Sequence, residues 1–445
     1  MRITVSLWET LPSSVTDMSR RVLLVQRLDD DERYMLRELR ELAEAAGYEV
    51  VGEVVQRREP DPRYGVGSGK VEEIRRLVAE TGAERVIFYN FLKPNQVYNL
   101  RKKLGIEVLD RFELILEIFA KRAGSREAKL QIELARLKRE LSFAREYINL
   151  QKRGELHGFL GGGRYAADAY YEYVVSRIAK IEEELRAIRR SKSMRWSRRG
   201  EVGIFSVALT GYTGAGKTTL FNRLAGWEGY VDGRPFATLS TKTRLVALKG
   251  LPLLLSDTIG FIDSLPEQLF DAFYTTIGEV SYSDLLLLVV DVAEPPREVE
   301  RKVLAGLSIL SALGVPQSRV LVAANKVDVA EPAQLESNFR LLRKLSFPEI
   351  VPISAKTGFN LRALEEAIRR HLPGRVKASL KVRKEVLGLL LEEASQACRV
   401  MGVEECGGEV IVELEGRDTC IARLTRKYGL KPQPSALLAL REEAV

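Results

Sequence analysis

The sequence predicts an α/β protein of several domains, with a pair of long helices between two α/β units. Strand-like apolar runs alternate with amphipathic stretches over residues 21–123 and again over 200–374, a pattern typical of mostly parallel sheets. The intervening stretch, 124–199, follows a 3.5-residue apolar repeat instead, which indicates coiled-coil helices. A chain of 445 residues has room for two to four domains of roughly 100–200 residues each.

The first α/β unit is expected over 21–123, after a leader (1–20) that shows no periodicity. The motif GVGSGK at Gly65–Lys70 is similar to a phosphate loop, but Tyr64 stands where that loop needs its first glycine. We interpret it as a glycine turn that opens a helix. The predicted strands are Arg21–Gln26, Glu49–Gln56 and Arg85–Tyr89, and the predicted helices are Glu32–Ala46 and Lys70–Glu80.

The middle segment, 124–199, is predicted to form an antiparallel helical hairpin. Its tip is expected at Gly154–Arg164, whose five glycines cannot continue a helix. Arg186–Arg199 contains seven basic residues and no acidic one, and we interpret it as a basic joint into the next domain. The seam positions are Leu130, Leu134, Leu137, Leu141, Ala144 and Ile148 on one helix and Tyr171, Val174, Ile178, Ile181, Leu185 and Ile188 on the other.

The second α/β unit, 200–374, is predicted to be a doubly wound, mostly parallel sheet that ends at Pro373–Gly374. Residues 375–445 suggest a small α+β tail, with a helix near Leu380–Val400 and a strand over Glu409–Glu415. The strands expected in the second unit are Gly203–Leu209, Leu251–Ser256, Asp284–Val290, Val320–Ala324 and Ile350–Pro352.

Positive charge is concentrated in the predicted hairpin. The chain has 69 basic and 61 acidic residues, and residues 121–199 hold 20 of the basic and 10 of the acidic ones. The remainder is therefore nearly neutral. A localised basic excess favours a polyanionic partner such as RNA, although a solvated helical face gives a similar composition.

Several protein classes are disfavoured by the sequence. No apolar run reaches the roughly 18 residues of a membrane-spanning helix, and the N-terminus lacks a secretory signal pattern, so we expect a cytoplasmic protein. Cys398, Cys406 and Cys420 have no C-x-x-C spacing and are interpreted as small buried hydrophobes rather than as disulfide or zinc ligands. Nothing in the sequence demands an oligomer, so we expect a monomer, and we expect no DNA partner.

A phosphate-binding loop is the clearest motif. Residues 211–218, GYTGAGKT, fit G-x-x-x-x-G-K-[ST] between a predicted strand and a predicted helix. Glycines let backbone N–H groups face a phosphate, a lysine reaches the β- and γ-phosphates, and the hydroxyl of Thr218 can ligate Mg²⁺. The expected contacts are Gly211, Tyr212, Thr213, Gly214, Ala215, Gly216, Lys217, Thr218 and Thr219.

Three further motifs follow in the order of a guanine-nucleotide domain. Asp257–Gly260 (DTIG) can reach Mg²⁺ through water at Asp257 and the γ-phosphate at Gly260. In Asn325–Asp328 (NKVD), the final carboxylate can accept hydrogen bonds from guanine, whereas adenine would leave it unpaired at a cost of about 1–3 kcal/mol. Ser354–Lys356 (SAK) suits a backbone donor to guanine O6. The motifs together predict a GTPase that uses GTP/GDP and Mg²⁺, with guanine contacts from Asn325, Lys326, Asp328, Ser354, Ala355 and Lys356.

A magnesium-binding hydroxyl is also expected between Leu224 and Leu251. Thr238, Thr241 and Thr243 are the candidates; we favour Thr238, with Phe236 beside the nucleotide, and assign the catalytic roles to Lys217, Thr238 and Gly260. Phe261 stands where many GTPases carry a water-orienting glutamine, and an aromatic ring cannot polarise water. We therefore expect slow intrinsic hydrolysis.

The chain resembles the HflX GTPases, relatives of the Obg group, over roughly residues 21–370. The similar stretches are YGVGSGKVEEI, LDRFELILEIFAKRAGSREAKLQIELARLKREL, FATL…TR, DTIGFIDSLPEQLFDAFYTTIGEV and NKVD. The resemblance implies a ribosome-associated GTPase whose partner is the large ribosomal subunit with its rRNA. Gly214 occupies the position at which many members have a potassium-coordinating asparagine. The resemblance therefore does not predict potassium stimulation through this residue.

Three functional hypotheses follow. In the first, the protein binds the large subunit in its GTP state and splits or rescues ribosomes under stress. In the second, a GTP-dependent switch docks a protein partner on its hairpin. In the third, the N-terminal domain remodels RNA with ATP. The basic hairpin favours the first hypothesis.

Overall fold

The computed structural model divides into two compact units, which we describe separately. The first is drawn from residues 1–121 and 145–157, and the second from 122–144 and 158–445. The structure describes residues 20–29, 35–152, 163–226, 242–258, 260–261, 280–406 and 409–432.

The first unit contains a four-stranded parallel sheet in the order β2-β1-β3-β4. The predicted strands are confirmed. The predicted glycine turn is also confirmed, because its residue Gly67 is the N-cap from which α2 begins. Three elements, α3, β4 and α4, are additional to the prediction. The elements are β1 (Arg20–Leu28), α1 (Leu36–Ala45), β2 (Tyr48–Arg57), α2 (Ser68–Thr81), β3 (Arg85–Phe88), α3 (Pro94–Leu104), β4 (Glu107–Asp110) and α4 (Arg111–Arg122).

Two long helices, α5 (Arg126–Lys152) and α6 (Gly163–Val202), form the predicted hairpin arms. The buried seam of Leu130, Leu134, Ile181 and Leu185 confirms the 3.5-residue repeat where the first turns of α5 lie against the later turns of α6. The ion pairs Glu127–Lys192 and Glu133–Arg177 run in opposite sequence directions, so the arms are antiparallel.

The predicted tip differs from the structure at the start of α6. The sequence predicts a tip that extends to Arg164, but α6 already begins at Gly163. The basic joint leads into the next domain as part of α6, because its Arg-, Lys- and Ala-containing sequence has good helix propensity and the helix continues to Val202. Among the described residues, no helix is both long enough and apolar enough to span a membrane.

The second unit also contains a six-stranded sheet in the order β10-β9-β8-β5-β7-β6, in which only the β6–β7 pair is antiparallel. The carboxyl ends of its parallel strands meet at one edge, where ligands bind in open α/β sheets. The sequence does not predict strand β6, because its first four residues are exposed and lack an apolar run. The elements are β5 (Phe205–Gly211), α7 (Lys217–Leu224), β6 (Lys242–Leu248), β7 (Leu251–Asp257), β8 (Leu285–Asp291), α8 (Pro296–Ala312), β9 (Val320–Asn325), α9 (Pro332–Lys344), β10 (Ile350–Pro352) and α10 (Leu361–His371).

The C-terminal residues form an antiparallel sheet in the order β12-β13-β11-β14. The predicted strand at Glu409–Glu415 is confirmed within β13, but the predicted helix near Leu380–Val400 is wrong at both ends. Its first residues alternate between buried and exposed positions as part of β11, and its last belong to β12. The elements are β11 (Arg375–Val382), α11 (Lys384–Ala394), β12 (Arg399–Cys406), β13 (Glu409–Arg417), α12 (Asp418–Tyr428) and β14 (Lys431–Pro432).

Candidate nucleotide-binding site

The loop between β5 and α7 adopts a conformation that requires glycine at two positions. Gly211 has φ +138°, and a Cβ there would lie 2.3 Å from the carbonyl oxygen of Val289. Gly216 has φ +95°, and a Cβ would lie 2.3 Å from Nδ2 of Asn325. Side chains at either position would force the loop away from β8 and β9. The first and last glycines of the motif therefore fix the loop against the sheet.

Lys217 is a buried cation at the start of α7, with 7% of its surface exposed. Its ammonium group donates a hydrogen bond to the carbonyl of Tyr212 at 2.8 Å and forms no ion pair with any described residue. Burial lowers the pKa of Lys217 to about 8, although the nearby charge of Asp257 acts in the opposite direction. This geometry gives the loop a positive charge that an incoming anion can neutralise.

Thr218 and Asp257 bring two oxygen ligands together at the end of the sheet. The Thr218 hydroxyl donates a hydrogen bond to Oδ2 of Asp257 at 2.9 Å, and Asp257 is fully buried. A hydroxyl and a carboxylate are donors that suit the hard cation Mg²⁺. Thr243 lies on β6, with its hydroxyl 2.9 Å from that of Ser256. The other predicted positions, Phe236, Thr238 and Thr241, lie outside the described residues.

Gly260 and Phe261 are held against the phosphate loop by their backbone. The Phe261 N–H donates to the carbonyl of Gly211, and the Thr213 N–H donates to the carbonyl of Phe261, both at 2.9 Å. A Cβ on Gly260 would lie 2.6 Å from the Lys217 ammonium nitrogen. The Phe261 ring is 4% exposed and packs on Gly306 of α8, where an added Cβ would lie 3.2 Å from the ring. Its ring is therefore part of the core.

Asn325 connects the phosphate loop to the loop after β10. Its Nδ2 donates to the carbonyl of Ala215 at 2.7 Å, and its Oδ1 accepts the N–H of Ala355 at 2.9 Å. One buried amide thus braces two loops that are far apart in sequence, and both of its hydrogen-bonding ends are used.

Lys326 and Asp328 have different environments within the same motif. Lys326 adopts the left-handed backbone region at φ +70°, which is uncommon for a residue with a side chain, and its ammonium group pairs with Asp291 at 2.5 Å. Asp328 is exposed, and no ion pair or hydrogen bond joins it to another described residue. Its carboxylate is therefore available to a ligand.

The loop at Ser354–Lys356 is fixed by a residue that the motifs do not include. Arg223, in the last turn of α7, donates a hydrogen bond to the carbonyl of Lys356 at 2.6 Å and lies 3.5 Å from that of Ala355. Ser354 is buried and its hydroxyl accepts the N–H of Thr357 at 3.1 Å. Sequence reasoning missed Arg223 because a single arginine on a helix gives no signal of a contact 133 residues away.

The remaining predicted contacts occupy the rim of the loop. The Tyr212 ring faces away toward α8, with the Lys302 ammonium nitrogen 4.7 Å from its centroid. Gly214 is exposed at φ +78°, and an added Cβ would meet open space. Thr219 is half-buried in the first turn of α7. The structure therefore brings together, at one edge of the sheet, those predicted site residues that it describes. The Tyr212 side chain is directed elsewhere.

Comparison with known proteins identifies the family. Three family models match in sequence order: "GTP-binding GTPase N-terminal" over residues 33–120, "GTP-binding GTPase Middle Region" over 122–199 and "50S ribosome-binding GTPase" over 206–326. "GTPase HflX" of Thermofilum pendens is 54% identical over 417 residues, or 93% of this chain and 98% of the relative. "GTPase HflX" of Thermococcus kodakarensis is 40% identical, covering 90% of each chain.

A solved structure, "crystal structure of SsGBP and GDP complex", is 30% identical with a TM-score of 0.50, covering 80% of this chain and 98% of that one. The order of domains in the family models matches the order of sheets and helices described above. The chain binds GTP or GDP and hydrolyses GTP, and it belongs to the HflX family of GTPases.

Proposed function

We propose that this GTPase binds the RNA of the large ribosomal subunit through its helical hairpin in the GTP state and leaves after hydrolysis. The observation that supports this most directly is the confinement of the basic excess to residues 121–199. The family model described as "50S ribosome-binding GTPase" agrees with such a partner. On this proposal the protein works as a cytoplasmic monomer and separates or rescues ribosomes under stress.

The hairpin's internal ion pairs leave its basic excess on the remaining side chains. Four acidic side chains of the arms pair across the hairpin: Glu127 with Lys192, Glu133 with Arg177, Glu182 with Lys138 and Glu184 with Arg126. These pairs neutralise four of the ten acidic residues and four of the twenty basic ones, so the net excess is unchanged. Exposed arginines such as Arg186 and Arg190 remain available to phosphates.

The nucleotide site supplies the switch in this proposal. Lys217 would neutralise the β- and γ-phosphates, Thr218 would ligate Mg²⁺ with Asp257 acting through water, and Gly260 would meet the γ-phosphate. Thr238 is proposed to complete the magnesium shell. Asp328 would accept guanine N1–H and the 2-amino group. Asn325 and Lys326 support that side of the site through the contacts described above, as do Ser354, Ala355 and Lys356.

The test is co-sedimentation with purified large ribosomal subunits, with a non-hydrolysable GTP analogue or GDP, across a salt series. We expect analogue-dependent binding that weakens steeply with salt, because binding to phosphates releases counterions. The double substitution Arg186→Glu/Arg190→Glu should weaken binding and reduce the logarithmic salt slope by about one for each arginine that binds a phosphate.

The matched control is Arg343→Glu/Lys344→Glu, which makes the same charge change at two exposed positions on α9. It should bind like the unmodified protein. Equal loss of ribosome binding in both variants would show that only net charge matters. Absence of binding by the unmodified protein in both nucleotide states would contradict the proposal and favour a protein partner. Light scattering of joined ribosomes with the analogue would then report whether binding separates the subunits.

A further inference from the structure

Cys398 and Cys420 meet in the core of the C-terminal sheet domain. Cys398 precedes β12 and Cys420 lies in the first turn of α12, and both side chains are buried. The Cys398 thiol donates a hydrogen bond to the Cys420 sulfur, with a sulfur-to-sulfur distance of 3.2 Å. A disulfide needs ~2.05 Å, so a small movement of the side chains would bring the sulfurs within bonding distance.

Two glycines leave the space that this sulfur pair occupies. A Cβ on Gly416 would lie 2.5 Å from Sγ of Cys398, and a Cβ on Gly203 would lie 2.5 Å from Cβ of Cys420. Gly416 belongs to β13 and Gly203 directly follows α6. Side chains at either glycine would displace a cysteine. The surrounding backbone thus leaves room for both cysteines, with one glycine beside each of them.

The environment of the pair also favours thiolate chemistry at one sulfur. The hydrogen bond from Cys398 lowers the pKa of the Cys420 thiol, and the neighbouring Arg423 acts in the same direction against the effect of burial. An Arg423 nitrogen lies 4.0 Å from the Cys420 sulfur. The thiolate is the nucleophile in exchange with a disulfide, so Cys420 is the sulfur suited to make the first attack once local opening of the domain exposes this buried pair.

We propose that Cys398 and Cys420 form an intramolecular disulfide, which makes this pair a covalent modification site in the C-terminal domain. The Cys420 thiolate attacks an external disulfide of the glutathione or protein-disulfide class, forming a mixed disulfide and releasing one thiol. In the same locally opened state, where water reaches the pair, the Cys398 thiol loses its proton to water and displaces the second thiol. Two protein thiols are oxidised and one external disulfide is reduced, so electrons and atoms balance.

The composition of the chain is compatible with a cross-link in an intracellular protein. Only 18 of the 445 residues are Asn or Gln, a depletion associated with high-temperature proteins. Intracellular proteins of that class are the known exception to the scarcity of cytosolic disulfides. The cross-link would close a segment between residues 398 and 420, and restricting the unfolded chain in this way stabilises the folded state.

The cross-link would also anchor the helix next to the GTPase domain. Arg417 immediately precedes α12; its guanidinium pairs with Asp284, and it lies over the Phe205 ring with 4.8 Å between the guanidinium carbon and the centroid. Asp284 in turn accepts hydrogen bonds from the backbone N–H and the hydroxyl of Ser206 at 2.8 and 2.9 Å. Tying α12 to the start of β12 therefore fixes the element that holds this contact.

The experiment equilibrates the full chain in oxidised or reduced glutathione, quenches it with acid and alkylates the remaining thiols in denaturant. The oxidised sample should retain one alkylatable thiol of the three, and non-reducing peptide mapping should join the peptides containing Cys398 and Cys420. Its melting temperature should exceed that of the reduced sample by about 5 °C or more.

Cys406→Ser is the matched control, because it removes the third cysteine and should keep the full oxidised-minus-reduced shift. Cys398→Ser and Cys420→Ser should each abolish the shift, and comparing each variant with itself in the two buffers cancels any destabilisation from the substitution. Three alkylatable thiols after oxidation, or a cross-link through Cys406, would overturn the proposal. Because thiols and melting are measured without ribosomes, the result does not depend on the proposed partner.

Discussion

Two buried charges in this molecule have opposite electrostatic environments. Lys217 in the phosphate loop is almost fully buried, and its hydrogen-bonding partner is a backbone carbonyl at 2.8 Å. Glu415 on β13 is completely buried, but Arg369 of α10 donates to both of its oxygens at 2.7 and 2.8 Å. Arg375 also pairs with it, and Arg399 lies 3.6 Å away.

The difference distinguishes a charge kept for a ligand from a charge kept for folding. Burial lowers the pKa of Lys217 because no carboxylate compensates it fully. Burial acts to raise the pKa of Glu415, but the arginines outweigh it and the pKa lies below its usual value. A buried charge without its counterion costs stability until a ligand supplies one. We therefore expect Lys217 to serve nucleotide binding and Glu415 to serve the joint between the GTPase domain and the C-terminal sheet.

The largest expected effect on nucleotide binding is the loss of GTP affinity in Lys217→Ala. Removing the charge that faces the phosphates should weaken GTP binding about 100-fold or more, equivalent to ~2.7 kcal/mol, and abolish hydrolysis. The melting temperature without nucleotide should stay the same or rise, since an uncompensated buried cation is removed. A fluorescent GTP titration and a thermal scan measure the two effects. Lys344→Ala, at an exposed position on α9, is the control. Residual ATP turnover in Lys217→Ala would instead reveal a second nucleotide site.

A large effect on stability is expected for Glu415→Gln. Loss of the carboxylate leaves several arginines without their partner and should lower the free energy of unfolding by about 3 kcal/mol or more. GTP affinity should stay within about twofold, because the cluster does not touch the phosphate loop. Denaturant unfolding measures the stability change. Glu413→Gln, two residues away on the same strand and exposed, should behave like the unmodified protein.

A moderate effect on base specificity is expected for Asp328→Asn. An amide cannot accept both guanine donors, so the affinity for GTP should fall by roughly 1–3 kcal/mol without a change in melting temperature. Competition between GTP and xanthosine triphosphate checks the mechanism, since the amide can donate to the 2-oxo group. Unchanged preference for GTP would mean that Asp328 does not contact the base.

The pH dependence of stability sharpens the same comparison. The folded-state pKa of Glu415 is depressed, so its stabilisation is complete above the unfolded pKa of about 4.3 and is lost as the pH falls through the folded value. On acidification the unfolded state binds the proton first, which favours unfolding. The stability gap between the unmodified protein and Glu415→Gln should therefore close as the pH is lowered from about 4.3 through the folded-state pKa of Glu415. If the gap persisted in acid, the destabilisation caused by Glu415→Gln would come from packing rather than from charge.

The smallest expected effect is on hydrolysis in Phe261→Leu. Because the Phe261 ring packs on Gly306 in the core, it cannot orient water, and the hydrolysis rate per folded molecule should remain within about twofold. The free energy of unfolding should fall by about 1 kcal/mol, as for a conservative core substitution. A rate change of tenfold or more would place the ring in the catalytic step.

Local patterns predicted the nucleotide site better than the C-terminal joint. The residues from Gly211 to Thr218 are adjacent in sequence, and the strand before them and the helix after them have clear apolar patterns. Glu415 meets Arg369 across a sequence separation of 46 residues, and neither residue has a local feature that indicates the other. The same holds for Cys398 and Cys420, which become neighbours only after β12, β13 and α12 have packed.

The edges of elements were predicted least well. Strand β6 carries exposed residues on its first half, so its apolar pattern is too weak to mark a strand without its partner β7. The stretch Leu380–Val400 has a helical pattern because leucines repeat through α11, yet the pairing of β11 with β13 extends the sheet to Val382. Tertiary pairing decides the boundary in both cases.

The most direct test measures GTP affinity and unfolding free energy for Lys217→Ala and Glu415→Gln in the same buffer near neutral pH. The two substitutions should separate the properties: Lys217→Ala should lose GTP binding with stability kept, and Glu415→Gln should lose stability with GTP binding kept. If both substitutions lowered affinity and stability in parallel, the distinction between a charge reserved for a ligand and a charge reserved for folding would be wrong.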